Sequence, residues 1–279
     1  MQSKNPIAVF VVNLEDAFDK KQHMERLCKE FGLDCQFIQA VDGSKLSEAM
    51  LQQLYSKDAA TRHIGREMSR GEIGCALSHK RIYQKMLDEH IETALILEDD
   101  VALEKGFNAV VEKFETFPAD WECVLLGHHT NRSRQIETDA SIWLRKKITK
   151  AYSIIRFSER AMGTYGYLLN RRGAKKLLDA MRMIEMPIDH YTGDEQYTNL
   201  YGISKPCVTI EETYENVSAI TGERAIMQAS MKPVEQKYKA LKKILKTIGL
   251  FSVLKVLWQG MRNMYAKLKI PRRYTRYDT

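Results

Sequence analysis

The apolar run Ala94-Leu95-Ile96-Leu97 ends in three consecutive acids, Glu98-Asp99-Asp100. Near-continuous apolar sequence of this length reads as a strand buried on both faces, the habit of parallel sheets covered by helices. In open α/β sheets, ligands bind beyond the carboxyl ends of strands. A strand tipped with carboxylates at that edge is a candidate hard-cation site, because Mg2+ and Mn2+ take carboxylate oxygens. Strand side chains alternate faces, so Glu98 and Asp100 are expected on one side and Asp99 on the other unless the strand bends. A solvated acidic turn would give the same triplet, so the surroundings must decide.

Residues 7–14 read as a strand ending in Asn13-Leu14. Residues 20–31 carry helical spacing (Met24, Leu27, Cys28, Phe31), with Gly32 as the stop. Residues 35–41 read as a second strand before the turn Asp42-Gly43. A strand–helix–strand opening predicts a doubly wound α/β domain. Ser69 with Glu72 three residues on matches a capping box and starts a helix reaching about residue 89. Gly71 and Gly74 in its first turns each cost ~1 kcal/mol against Ala. They therefore mark a close approach of backbone to something else, an adjacent strand or a ligand diphosphate. Further strands are expected at 93–97, 123–126, 152–157, 165–169 and 207–210, with helices over 171–183, capped by Asn170, and over 191–201. Residues 128–150, charged and without apolar period, read as a long surface loop.

Composition excludes wholesale disorder: 44% of the 279 residues are apolar and 28% charged. The net charge of +7 conceals an asymmetry. Residues 232–279 hold 13 Lys and Arg against 2 Asp and Glu, leaving 30 against 34 for residues 1–231. The basicity belongs to a tail. Within it Tyr238, Leu241, Ile244, Leu245, Ile248, Phe251, Leu254 and Trp258 follow helical spacing, with Lys239, Lys242, Lys243 and Lys246 off that stripe. Such a basic amphipathic helix suits an anionic membrane interface; packing on the body or on a second subunit would use the same stripe. The chain is therefore divided into a domain over 1–231 and a membrane-association segment over 232–279. Cys28, Cys35, Cys75, Cys123 and Cys207 form no Cys-x-x-Cys pair and are expected to be reduced thiols in a cytosolic protein.

Seven short motifs in order resemble glycosyltransferase family 25, the bacterial lipo-oligosaccharide galactosyltransferases, with animal collagen galactosyltransferases as distant relatives. They are Val11-Val-Asn-Leu14, Ala40-Val-Asp-Gly43, Gly71-Glu-Ile-Gly-Cys-Ala-Leu-Ser-His79, Leu95-Ile-Leu-Glu-Asp-Asp-Val101, Gly163-Thr164 with Tyr167-Leu168, Arg172-Gly-Ala-Lys-Lys-Leu177 and Pro187-Ile-Asp189. The resemblance covers about residues 7–215. It implies a GT-A-type, Rossmann-like nucleotide-sugar-binding domain. It also implies a UDP-sugar donor, usually UDP-galactose, dependence on Mn2+ or Mg2+, and inversion at the anomeric carbon. One departure is visible: the family's Arg-rich start to the first helix is here Asp19-Lys20-Lys21-Gln22-His23. Lysine keeps the charge and loses the bidentate fork.

On that resemblance Asp100 and Glu98 are the expected metal ligands. Asp99, Asn13, Leu14, Asp42, Gly74, His79, Gly163 and Thr164 are expected around donor or acceptor. An inverting displacement needs a base for the acceptor hydroxyl; Asp189 is one candidate, with Asp194 and Glu195 as rivals. Each of the three is equally readable as a carboxylate capping a helix. His128, His129 and His190 are further candidates near the site, and buried or surface histidines with no ligand explain them equally well. The expected partners are a UDP-sugar, an oligosaccharide on a lipid anchor and an anionic membrane, with the protein peripheral on the inner face of the cytoplasmic membrane. The competing readings are a nucleic-acid-binding protein using the basic tail, and an inactive relative with a structural role. No nucleic-acid module accompanies the tail, so no nucleic acid is expected.

Overall fold

The computed structural model describes residues 7–129, 140–157 and 160–215. The tail helix, the boundary at residue 231 and residues 130–139 of the expected loop lie outside them. Period-two alternation organises the core. In β1 (Ala8–Asn13), Phe10 and Val12 enter one apolar cluster, while Val9 and Val11 enter a second on the opposite face. Helix α1 (Phe18–Phe31) covers the second face with Met24 and Cys28, and ends on Gly32 in the left-handed conformation. Strand β2 (Cys35–Gln39) follows, then α2 (Glu48–Leu54), α3 (Lys57–Ile64) and α4 (Arg70–Asp88). Helix α4 begins in the expected capping box and buries Ile73, Ala76, Ile82 and Met86 against the first face.

Strand β3 (Thr93–Glu98) runs parallel to β1, which is parallel to β2 on its other side. Next come β4 (Val101–Leu103), α5 (Phe107–Val111), β5 (Cys123–Leu125), β6 (Ala140–Lys147), β7 (Ser153–Phe157) and β8 (Gly166–Asn170). Helix α6 (Arg171–Ala180) starts at the Asn170 cap; α7 (Ile188–Thr192), β9 (Leu200–Ile203), β10 (Val208–Ile210) and α8 (Glu212–Glu215) complete the described chain. The sheet order is β2-β1-β3-β8-β5-β9-β7-β6. The α/β class holds, but the parallel doubly wound pattern is confined to β2-β1-β3. Strand β8 enters antiparallel between β3 and β5, and the sheet is mixed from there on.

Four local expectations are corrected. The charged stretch over 128–150 contains the edge strand β6. An edge strand has one free side, so it needs no continuous apolar pattern, and Lys there blocks further pairing. The strand at 207–210 leaves the main sheet and pairs with β4. The helix expected over 191–201 is the single short α7, ending at Gly193 before β9. Cys28 and Cys35 form a disulfide joining α1 to β2, so the cysteines are not all reduced; Cys75, Cys123 and Cys207 are free. Among the described residues no helix is long and apolar enough to cross a membrane.

Gly74 answers to packing. A Cβ there would lie 2.4 Å from the Val41 carbonyl oxygen and 2.8 Å from the Gly43 nitrogen, so the approach is to the loop after β2. Gly43 reciprocates, its absent Cβ falling 1.8 Å from the Arg70 carbonyl oxygen. Gly74→Ala is expected to lower stability in chemical denaturation by ~1–3 kcal/mol through this overpacking. Thiol titration in denaturant without reductant should count three cysteines, and five after reduction.

Candidate active site

The same alternation sorts the acidic triplet. Leu97 faces the α1 side, so Glu98, the last residue of β3, faces α4. The chain then turns, and Asp99 and Asp100 both meet α1. Lys20 Nζ donates to Asp99 Oδ1 and to Asp100 Oδ2, each at 2.9 Å. Asn13, ending β1, donates Nδ2–H to Asp99 Oδ2 at 2.9 Å. Asp100 Oδ1 is buried with no hydrogen-bond partner. Glu98 and Asp100 therefore do not share a face as strand geometry alone would have it; Asp99 and Asp100 do, because the strand ends at Glu98. The segment after β10 closes this edge: Glu211 N–H donates to the Asp100 carbonyl, and the Tyr214 ring lies 5.5 Å from Lys20 Nζ. Burial opposes the Lys20 charge, but Asp100 and Asp99 outweigh it and raise the ammonium pKa. Burial also raises the Asp99 carboxyl, against the pull of Lys20. The two shifts point opposite ways; the paired 2.9 Å contacts favour the ionised arrangement.

On the α4 side His79 is wholly buried, with Nδ1 2.8 Å from the Tyr167 hydroxyl, which lies 2.7 Å from that of Tyr83. His79 Nε2 has no hydrogen-bond partner and stands 3.8 Å from Glu98 Oε1. Donor counting assigns the tautomer. If Tyr83 donates to Tyr167 and Tyr167 to Nδ1, every hydroxyl proton is placed and Nε2–H faces Glu98. The other tautomer strands one buried O–H, at a cost of ~1–3 kcal/mol. Cys75, His79 and Glu98 bring ligand atoms within 4.8 Å of one another. A metal there would demand the costlier tautomer, so the trio is a weaker cation site than the carboxylate pair. Burial pushes the Glu98 carboxyl up, His79 pulls it back, and Asp100 and Asp99 push it further. With 31% of its side chain exposed, Glu98 feels less of that burial than a closed site would impose.

Beyond the ends of β1 and β2 lies a cleft of about 240 Å³, bordered by Leu14, Gln39, Val41, Asp42, Lys45 and Arg81. That is below the ~300–1,000 Å³ of drug-sized sites, so it admits a group of about one ring. Asp42 accepts from Ser44 N–H and Oγ–H at 2.9 and 2.6 Å and pairs with Lys45 at 3.2 Å. Ser44 first of all, then Lys45, holds the Asp42 carboxyl low.

The three base candidates separate. Asp194 is committed to Arg160, with contacts of 2.6 and 3.0 Å. Asp189, in the first turn of α7, has a buried Oδ1 without a hydrogen-bond partner and lies within electrostatic reach of Arg66. Glu195 follows Asp194 in the turn before Gln196. His190 Nδ1 accepts from Arg160 Nη1 at 2.9 Å, which engages one ring nitrogen; burial first, then Arg160, lowers its pKa against the pull of Asp189. Gly163 has φ +95°, a turn conformation, and Thr164 Oγ1 lies 3.1 Å from Thr192 Oγ1 inside the core. His129 stacks on Tyr165, their centroids 6.5 Å apart. His128 is buried and donates Nε2–H to the Ile203 carbonyl at 2.7 Å.

With that geometry established, comparison with known proteins is decisive. The model for glycosyltransferase family 25 (LPS biosynthesis protein) matches residues 7–192. The chain belongs to this family. The match ends at Thr192, short of the 215 expected from the motifs. Procollagen galactosyltransferase 1-A of Xenopus laevis is 30% identical over 191 residues, 66% of this chain and 30% of that one. A glycosyltransferase 25 family member of Aedes aegypti is 31% identical over 193 residues, with the same coverages. The family 25 chain thus spans about 30% of the length of these relatives. A solved glycosyltransferase involved in glycosylating the major capsid of PBCV-1 aligns at 11% identity and a TM-score of 0.32, over 62% of this chain and 65% of that one. That likeness is too distant to bear on chemistry.

Sequence reasoning missed the role of Lys20, noted only as a departure, because nothing local says which acids an ammonium will meet. It also missed Tyr83 and Tyr167 beside His79, although Tyr83 shares the helix face of His79 at i, i+4.

His128 provides a pH test. Burial lowers its pKa to about 4, helped by His129 and opposed by the bond to Ile203. The unfolded chain takes this proton near 6.5 and the folded one near 4, so the stabilisation is complete above the first value and lost as pH falls through the window. Urea unfolding should show about 2 kcal/mol less stability at pH 5 than at pH 7 from this group. His128→Gln, which keeps a donor, should flatten that slope.

Proposed function

We propose that the chain is a glycosyltransferase that moves a hexose, galactose foremost, from a UDP donor to a glycan acceptor with inversion at the anomeric carbon. The observation that carries this reading is the Asp99–Asp100 pair, fixed by Asn13 and Lys20 at the carboxyl edge of β3, with Asn13 followed directly by Leu14 of the cleft beyond β1 and β2. A cation fits here on two grounds: an ammonium already bridges the two carboxylates, and Asp100 Oδ1 lacks a partner. Asp99 and Asp100 would hold Mn2+ or Mg2+, which when bound neutralises the leaving diphosphate, while Glu98 faces His79 on the α4 side.

The protein's own groups divide the remaining work. The cleft receives one ring of the uridine, with Asp42 and Gln39 at its rim. Asp189 takes the acceptor proton, because its free oxygen contrasts with the neutralised Asp194. Galactose is favoured as donor sugar by the names of the relatives, and a lipopolysaccharide-type acceptor by the name of the family. The basic tail is proposed to bring the enzyme to an anionic membrane, where such an acceptor resides. Vesicle flotation with and without residues 232–279 tests that placement.

A thermal-shift screen of UDP-galactose, UDP-glucose and UDP-N-acetylglucosamine, each with and without Mn2+, tests the core reading. At a hundredfold excess over Kd a ligand adds about 2.7 kcal/mol, and a chain of this size moves about 2–4 °C per kcal/mol. The expected result is a donor-selective, Mn2+-dependent rise of that order, lost together with transfer in Asp100→Ala. Unchanged donor affinity and transfer in Asp100→Ala would overturn it.

A further inference from the structure

We propose that Lys20 is an internal counter-cation that holds Asp99 and Asp100 together in the metal-free protein and competes with the divalent ion for them. The inference rests on the reading of those two residues as cation ligands. Its ground is placement. Lys20 Nζ stands 2.9 Å from one oxygen of each carboxylate, the bridging position a shared cation would take. Asn13 holds the far oxygen of Asp99, so that carboxylate stays aimed at the bridge whichever cation fills it. Two carboxylates this close repel unless a cation lies between them. One ammonium neutralises half of their charge, leaving a net attraction for a more highly charged ion.

Exchange needs no proton transfer: the ammonium leaves charged and the ion enters. An aromatic ring already faces the ammonium in its bridging position. The Tyr214 ring lies 5.5 Å from Nζ and is held by an edge contact with His23, centroids 5.7 Å apart. An ammonium facing an aromatic ring retains part of its stabilisation. Lys20 would thereby keep the carboxylates apart from stray cations, and would stay beside the diphosphate once the ion has displaced it. Lysine suits this role better than arginine. Its compact point charge on a flexible stem can swing away, whereas a guanidinium fork would pin both carboxylates by bidentate bonds.

The test is Mn2+ binding by electron paramagnetic resonance of the free ion, without donor, on the full chain and its Lys20→Met, Lys20→Arg and Lys21→Met variants. Lys20→Met is expected to bind Mn2+ about tenfold more tightly or better, and Lys20→Arg no more tightly than the native chain. Lys21→Met, which removes a neighbouring charge lying over the Phe37 ring, should leave affinity unchanged. Equal or weaker binding by folded Lys20→Met overturns the inference. So does an equal gain in Lys21→Met, which would reduce the effect to general electrostatics. Absence of Mn2+ binding in every protein overturns the cation-site reading as well, which separates the two failures. Should Lys20→Met fail to fold, amine acetylation of the native chain, read by mass spectrometry, decides. Saturating Mn2+ should accelerate labelling of Lys20 relative to Lys21, and an unchanged rate overturns the proposal.

Discussion

Two carboxylates at one sheet edge cannot stay close and ionised without positive charge between them, and most of this molecule's site geometry follows from that requirement. Asp99 and Asp100 are adjacent in sequence, which in a strand would send them to opposite faces. Ending β3 at Glu98 and turning there brings both toward α1, where Lys20 stands in the first turn of the helix. The turn is covered from outside by the segment leading to α8, whose Glu211 N–H ties down the Asp100 carbonyl. The edge is thus a bound charge assembly and not the solvated acidic turn that the bare triplet allows.

The opposite face supplies rigidity. Helix α4 lies so close to the loop after β2 that its Gly74 admits no side chain, and its capping box ties the first turn to Glu72, which in turn receives Arg66 at 2.6 and 2.7 Å. Farther along α4, the Tyr83–Tyr167–His79 chain crosses from helix to β8 with each hydroxyl proton placed. A buried polar chain of this kind fixes orientation, since rotating the His79 ring away from Tyr167 would strand a hydroxyl donor. Its free end presents N–H toward Glu98. Glu98 therefore belongs with the α4 scaffold, one residue away from acids that belong with α1.

How much of this could be read from residues alone follows the range of the forces involved. Short-range signals served well: the apolar run of β3, the Ser69–Glu72 box, the Asn170 cap and Gly32 as a stop each depend on neighbours within four residues. The insertion of β8 between β3 and β5 depends on pairing across more than forty residues, and no periodicity encodes it. Strand β6 was hidden because Arg145, Lys146 and Lys147 give an edge strand the composition of a loop. At the site, the carboxylates, Asn13, Asp42 and His79 were visible as motif residues. Lys20 was visible only as a departure from an arginine, since its meaning lies in a contact made 79 residues away.

The Cys28–Cys35 disulfide alters the argument about where the protein works. The cytosolic expectation rested on scattered cysteines and on the basic tail together. A disulfide belongs ordinarily to an oxidising compartment, so the first support is gone, and the second does not specify a side: anionic headgroups attract lysines wherever they are presented. The bond joins α1 to the start of β2. It therefore steadies the helix that carries Lys20, eight residues from Cys28, against the strand whose far end borders the cleft. Losing it would loosen α1 at its carboxyl end while the amino end stayed held by Asp99 and Asp100. The two ends of α1 are thus fixed by different means, a covalent bond at the carboxyl end and an ion-pair bridge at the amino end.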